Sequence, residues 1–185
     1  KSVSDLCQKH NSLFHTDAVQ AVGHYKIDLK SIKIDFLSSA GHKFHGPKGV
    51  GFTYINKSTK IKSFICGGPQ ERGLRAGTES VHNIVGMTRA LEIAVENMEK
   101  EAKYVLSIKE HMINSLRKLF PDIQFNGESG NIKKSTYTIL NVCFPLSNNK
   151  AAMLDFNLDL RGIACSRGSA CQSGSSEGSH VLSEI

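Results

Sequence analysis

The chain of 185 residues has no long apolar run. None of its hydrophobic stretches approaches the roughly 20 residues that a bilayer-spanning helix needs, so a transmembrane segment is excluded. No basic-then-apolar leader is present at the start. The first residue is Lys1, not methionine, which points to processing or truncation upstream. Like-charged clusters are missing too. The net charge is +6, yet the basic residues are scattered and aromatics make up only 7%. A nucleic-acid footprint needs clustered charge, so the excess is read as a solvated basic surface. There are five cysteines, an odd number in a chain that is not short. That argues against a disulfide framework and for a reducing compartment, such as the cytoplasm. There is no internal repeat.

What is present is ordinary globular composition: 39% hydrophobic and 22% charged residues, enough to bury a core. Val3, Leu6 and Cys7 have the spacing of a helix tail. Ser12 to Phe14 reads as a short buried strand running into the polar His15-Thr16-Asp17. Residues 32–38 and 50–55 read as further strands, joined by the turn-rich Gly41-His42-Lys43-Phe44-His45-Gly46-Pro47-Lys48-Gly49. A second glycine-rich loop covers 66–78. Apolar residues from Ile84 to Leu119 then recur at helical spacing, with Ser80 or Asn83 as a start signal and Pro121 after the end. Unbroken, that helix would span roughly 60 Å at ~1.5 Å per residue. A form with one or more breaks, bridging two lobes, is expected. Residues 136–144 read as a strand, 150–157 as a helix and 163–165 as a short strand. The lobe boundary is placed in the long helix, giving domains 1–90 and 91–185.

Four positions carry chemistry. Lys43 follows a strand and precedes a glycine-proline turn. A lysine there can act as an amine nucleophile toward an aldehyde cofactor; taken singly, it reads as a surface lysine. The phosphate-loop alternative fails: Gly41 and Gly46 have the right spacing, but Pro47 stands where the lysine must be and Gly49 follows Lys48. Asp17, at a strand end, can pair with a protonated pyridine nitrogen. Gln20 can donate to a ring hydroxyl. Taken singly, these two are a helix cap and a surface amide. Cys171 sits among small polar residues in Ser166–Ser179, a setting for an exposed, reactive thiol rather than a buried one. Arg167 can stabilise its thiolate. A zinc site with Cys165 fits poorly, because structural zinc pairs are usually spaced two to four apart.

Four stretches in order resemble the cysteine desulfurases, of the class V aminotransferase group of fold-type-I pyridoxal-phosphate (PLP) enzymes. They are His15–Gly23, Ser39–Gly51, Gly67–Thr78 and Cys165–Cys171, and the resemblance covers nearly the whole chain. It implies an α/β fold: part of a large domain with a mostly parallel sheet, then an α+β small domain. It implies that Lys43 bonds PLP, that Asp17 pairs with the pyridine nitrogen and Gln20 with the ring hydroxyl, and that His42 contacts the phosphate. Thr78 would reach the cofactor phosphate of the neighbouring subunit in a homodimer. Cys171 would take sulfur from L-cysteine as a persulfide, releasing alanine and passing the sulfur to an acceptor or scaffold protein for iron–sulfur assembly or tRNA thiolation. A selenocysteine lyase, an aminotransferase, or an inactive fragment that docks sulfur acceptors is the alternative. Two features depart from the family. Its usual phosphate-binding serine before Gly41 is Ala40 here. Its N-terminal phosphate loop and ring-stacking histidine, and its C-terminal carboxylate-binding arginine, have no counterpart in these residues. PLP binding by this polypeptide alone is therefore expected to be weak.

Overall fold

The computed structural model describes residues 1–166, 179 and 182–184. They fall into two compact units, Lys1–Glu101 and Ala102–Ile185. No helix among the described residues is long and apolar enough to cross a membrane.

The first unit opens with helix α1, Ser2–Lys9. Its Ser4 hydroxyl donates to the Lys33 carbonyl at 2.7 Å, which ties the helix to the segment entering the sheet. Three strands follow: β1, His15–Asp17; β2, Phe36–Ala40; and β3, Gly51–Ile55. They lie in the order β1-β2-β3. β1 pairs parallel with β2, and β2 antiparallel with β3, so the described sheet is mixed. The first strand lies later than expected from the apolar Ser12–Phe14, and Leu13 is exposed. The second likewise begins at Phe36 rather than residue 32. Asp35 accounts for both shifts. Its buried carboxylate accepts the Phe14 backbone N–H at 2.9 Å and the Thr59 hydroxyl at 2.9 Å, pinning the point at which the two strands start to pair.

Strand alternation divides the sheet into two faces. Leu37 and Ser39 are buried on one, and Phe36, Ser38 and Ala40 are only half-buried on the other. The buried face meets the core cluster of Ala18, Val22, Ile34, Leu37, Phe44, Met87 and Ala94. Met87 and Ala94 come from helix α2, Val81–Leu119. That helix runs for 39 residues without interruption, which corrects the expected breaks. Its sequence holds no proline, and its one glycine, Gly86, serves packing: a Cβ there would lie 2.9 Å from the Pro47 ring. The division between the units falls inside α2, after Glu101.

In the second unit, strands β4, Gln124–Phe125, and β5, Val142–Cys143, pair antiparallel. The strand expected over 136–144 is reduced to those two residues. At the start of that span the Thr136 carbonyl accepts from Lys109 at 2.7 Å, and Tyr137 and Thr138 lie in a turn. The helix expected over 150–157 is two short ones, α3, Asn148–Ala152, and α4, Leu154–Asp159. Met153 divides them, with φ −101° and ψ 1° outside the helical well. Ile163 to Cys165 form no strand.

Candidate functional site

β1 and β2 run parallel, so their C-terminal ends emerge on the same edge of the sheet. Asp17 is the last residue of β1 and stands opposite Ser38 in the register. Lys43 lies in a short 3-10 turn, Gly41–Phe44, that leaves β2 directly. The carboxylate and the amine thus follow the same ends of neighbouring strands, where open α/β sheets place their ligands.

Local chemistry holds each in place. One Asp17 oxygen accepts the Val19 backbone N–H at 2.9 Å, which shapes the turn after β1. Asp17 itself is exposed. Lys43 is half-buried, and its backbone carbonyl is 3.1 Å from His24 Nε2. The turn closes at His45, in the left-handed region at φ 67°, and Gly46 N–H donates to the Gly41 carbonyl at 2.9 Å. Phe44, the next residue after Lys43, is 1% exposed and anchors the turn in the core. Gly23 permits that anchoring. It sits at φ +83°, and a Cβ on it would come within 2.7 Å of Phe44 Cβ.

The other expected residues are distributed as follows. Gln20 and His42 are exposed, one in the turn after Asp17 and one beside Lys43. Thr78 is exposed at the end of the glycine-rich loop. That loop is cinched by Gln70, whose Oε1 accepts the Gly77 N–H at 3.2 Å. It turns sharply through Glu71, Arg72 and Gly73, all at positive φ. Cys171 and Arg167 lie outside the described residues. Two surface cavities are described in the first unit, and neither is lined by Asp17, Gln20 or Lys43. The larger, about 450 Å³, is an apolar groove on the opposite face of the sheet, bordered by Leu37, Phe52 and Tyr54.

Sequence reasoning missed two polar contacts at this edge. His24 touches the Lys43 carbonyl, and His15 Nε2 lies 2.9 Å from Ser38 Oγ. The position of His15, two residues before Asp17 on an alternating strand, was the available signal for the second.

Comparison with known proteins agrees with this geometry. Residues 1–182 match the aminotransferase class-V family model. The chain belongs to this family. Among its relatives, a cysteine desulfurase IscS from Clostridium botulinum (strain Hall) is 43% identical over 185 residues, covering 100% of this chain and 46% of that protein. A solved NifS-like protein superposes with a TM-score of 0.77 at 39% identity, over 88% of this chain and 43% of that one. A structure described as SspA in complex with cysteine gives 0.70 at 31% identity, over 98% and 48%. The chain spans about half the length of the relatives it matches. The expected fold, part of a fold-type-I large domain followed by further α and β elements, is the family's fold.

The residues at the strand ends fit a pyridoxal cofactor. Asp17 is exposed at the end of β1, with one oxygen accepting the Val19 N–H. No hydrogen bond or ion pair is described for the Lys43 amine among the described residues. Lys43 is the third residue after the end of β2, so it and Asp17 lie at the same edge of the sheet.

Proposed function

We propose that this segment is the cofactor-binding and sulfur-transferring part of a PLP-dependent cysteine desulfurase, acting on L-cysteine. The observation that carries the proposal is the convergence of Asp17 and Lys43 at the ends of a parallel strand pair. The similarity to cysteine desulfurases over the whole chain supports it, as does the likeness to a structure holding cysteine.

In this reading Lys43 binds PLP covalently, Asp17 and Gln20 hold its ring, and His42 meets its phosphate. The bound cofactor supplies an electron sink that withdraws charge from the substrate α-carbon. Asp17, already oriented by the Val19 N–H, keeps its charge toward the ring nitrogen. The freed Lys43 amine holds and returns a proton at the α-carbon. The Cys171 thiolate attacks the substrate sulfur: an S–S bond forms, the substrate C–S bond breaks, and its electron pair stays with carbon, which becomes alanine on protonation. Thr78 completes the site of a second copy, so the working form is a homodimer. The persulfide is delivered to an acceptor or scaffold protein, and the location is cytoplasmic. The large domain comprises 1–90 and the small domain 91–185.

The natural protein carrying this segment is expected to release alanine and sulfide from cysteine. Lys43→Ala abolishes both. Cys171→Ala abolishes sulfide transfer while leaving the PLP absorbance in place. Conversion of cysteine to its keto acid with the C–S bond intact, unaffected by Cys171→Ala, points instead to an aminotransferase. The 185 residues alone, covering 46% of the relative's length, are expected to bind PLP well below one equivalent. A stable, near-stoichiometric visible chromophore contradicts that expectation.

A further inference from the structure

The sheet face that bears Asp17 carries a second polar group that the cofactor reading leaves unassigned. His15, Asp17, Ser38, Ala40 and Thr53 share this face by strand alternation and register. His15 Nε2 and Ser38 Oγ are 2.9 Å apart, and Ser38 is the direct cross-strand neighbour of Asp17. The neighbouring hydroxyl, Ser39, is turned the other way. It is 7% exposed on the core face, and its Oγ has no hydrogen-bond partner among the described residues. With Ala40 lacking a hydroxyl, Ser38 is the β2 side chain that can offer one to this face.

We propose that Ser38, oriented by His15, is a positioning residue for the Asp17 carboxylate. An imidazole N–H at His15 Nε2 donates to Ser38 Oγ. The Ser38 proton is then directed away from the ring, toward another acceptor. Asp17 is the sole carboxylate in β1, β2 and β3. One of its oxygens is already taken by the Val19 N–H. A second donor fixes the carboxylate plane, and with it the direction from which a protonated pyridine nitrogen is held. The proposal rests on the assignment of Asp17 and Lys43 to a pyridoxal cofactor.

The test uses the full 185-residue chain with millimolar PLP and borohydride reduction, and peptide mass spectrometry measures the label on Lys43. Ser38→Ala and His15→Leu are expected to lower that label about three- to tenfold, the range of one hydrogen bond. Ser38→Thr and His15→Gln, which keep a hydroxyl and a donor, restore it. Thermal unfolding, followed in parallel, shows the variants folded. The discriminating control is the carbocyclic analogue with C–H in place of the ring nitrogen: Ser38→Ala leaves its labelling unchanged, whereas a purely structural role lowers both equally. Undiminished PLP labelling in Ser38→Ala and His15→Leu, alongside a loss in Asp17→Ala, overturns this inference alone. Labelling in the wild-type chain that is spread over lysines without preference for Lys43 removes the cofactor reading, and this inference with it.

Discussion

At the scale of single residues, the proposed site rests on residues that anchor the turn around Lys43. Phe44 follows Lys43 and is almost fully buried, so its packing sets the direction in which the lysine leaves the core. Phe44→Ala is expected to cost about 3–5 kcal/mol, measurable by urea unfolding, and to lower PLP labelling of Lys43 as the turn loosens. Unchanged stability counts against the anchoring role. Gly23→Ala meets the same ring and a positive φ, and a fall in melting temperature is expected. Asp35 gives a pH signature. The Phe14 N–H holds its carboxyl below the usual carboxylate range, against the opposing effect of burial, with help from the Thr59 hydroxyl and the charge of Lys33. A carboxyl whose value is lower folded than unfolded stabilises fully above the ordinary carboxylate range. That contribution is lost as pH falls toward the folded value. Asp35→Asn is expected to flatten the acid side of the stability profile, and an identical profile in both proteins contradicts this.

At the scale of elements, the sequence was most informative where one period dominates. Apolar spacing located α2 and its end before Pro121, because a helix of that length repeats its signal many times. The expected breaks were wrong because exposed apolar residues such as Val85, Val95 and Tyr104 blur the stripe without disturbing backbone bonding. Short strands were less legible: their starts are set by the Asp35 contacts, which join residues 21 and 24 positions apart. The expected strand does not start at Thr136 because the Thr136 carbonyl accepts from Lys109, and Tyr137 and Thr138 lie in a turn. Lys109 is buried in the second unit, its amine 2.7 Å from both Ser135 Oγ and the Thr136 carbonyl, and burial lowers its pKa. Lys109→Ala removes both of those hydrogen bonds and is expected to cost about 1–3 kcal/mol. Chemical denaturation monitored by amide signals from 124–143 checks this, and no change there refutes it. The site was legible as motifs, because Lys43 and Asp17 sit in turn-rich sequence at strand ends. The His15–Ser38 contact was not, since it exists only once two strands are in register.

At the scale of the whole molecule, the chain belongs to the aminotransferase class-V family. It spans about half of the relatives it matches, yet the residues proposed to hold the cofactor ring and bond its aldehyde lie together in its first unit. Under the proposed reading, cofactor capture by these residues is expected to be weak but directed to Lys43. The most direct measurement is the distribution of PLP trapped by borohydride across the lysines of the wild-type chain. The account predicts label at Lys43 several-fold above any exposed lysine, in line with well-directed hydrogen bonding, and its collapse to the background level in Asp17→Ala. Even labelling across lysines, or a Lys43 signal indifferent to Asp17→Ala, would contradict it.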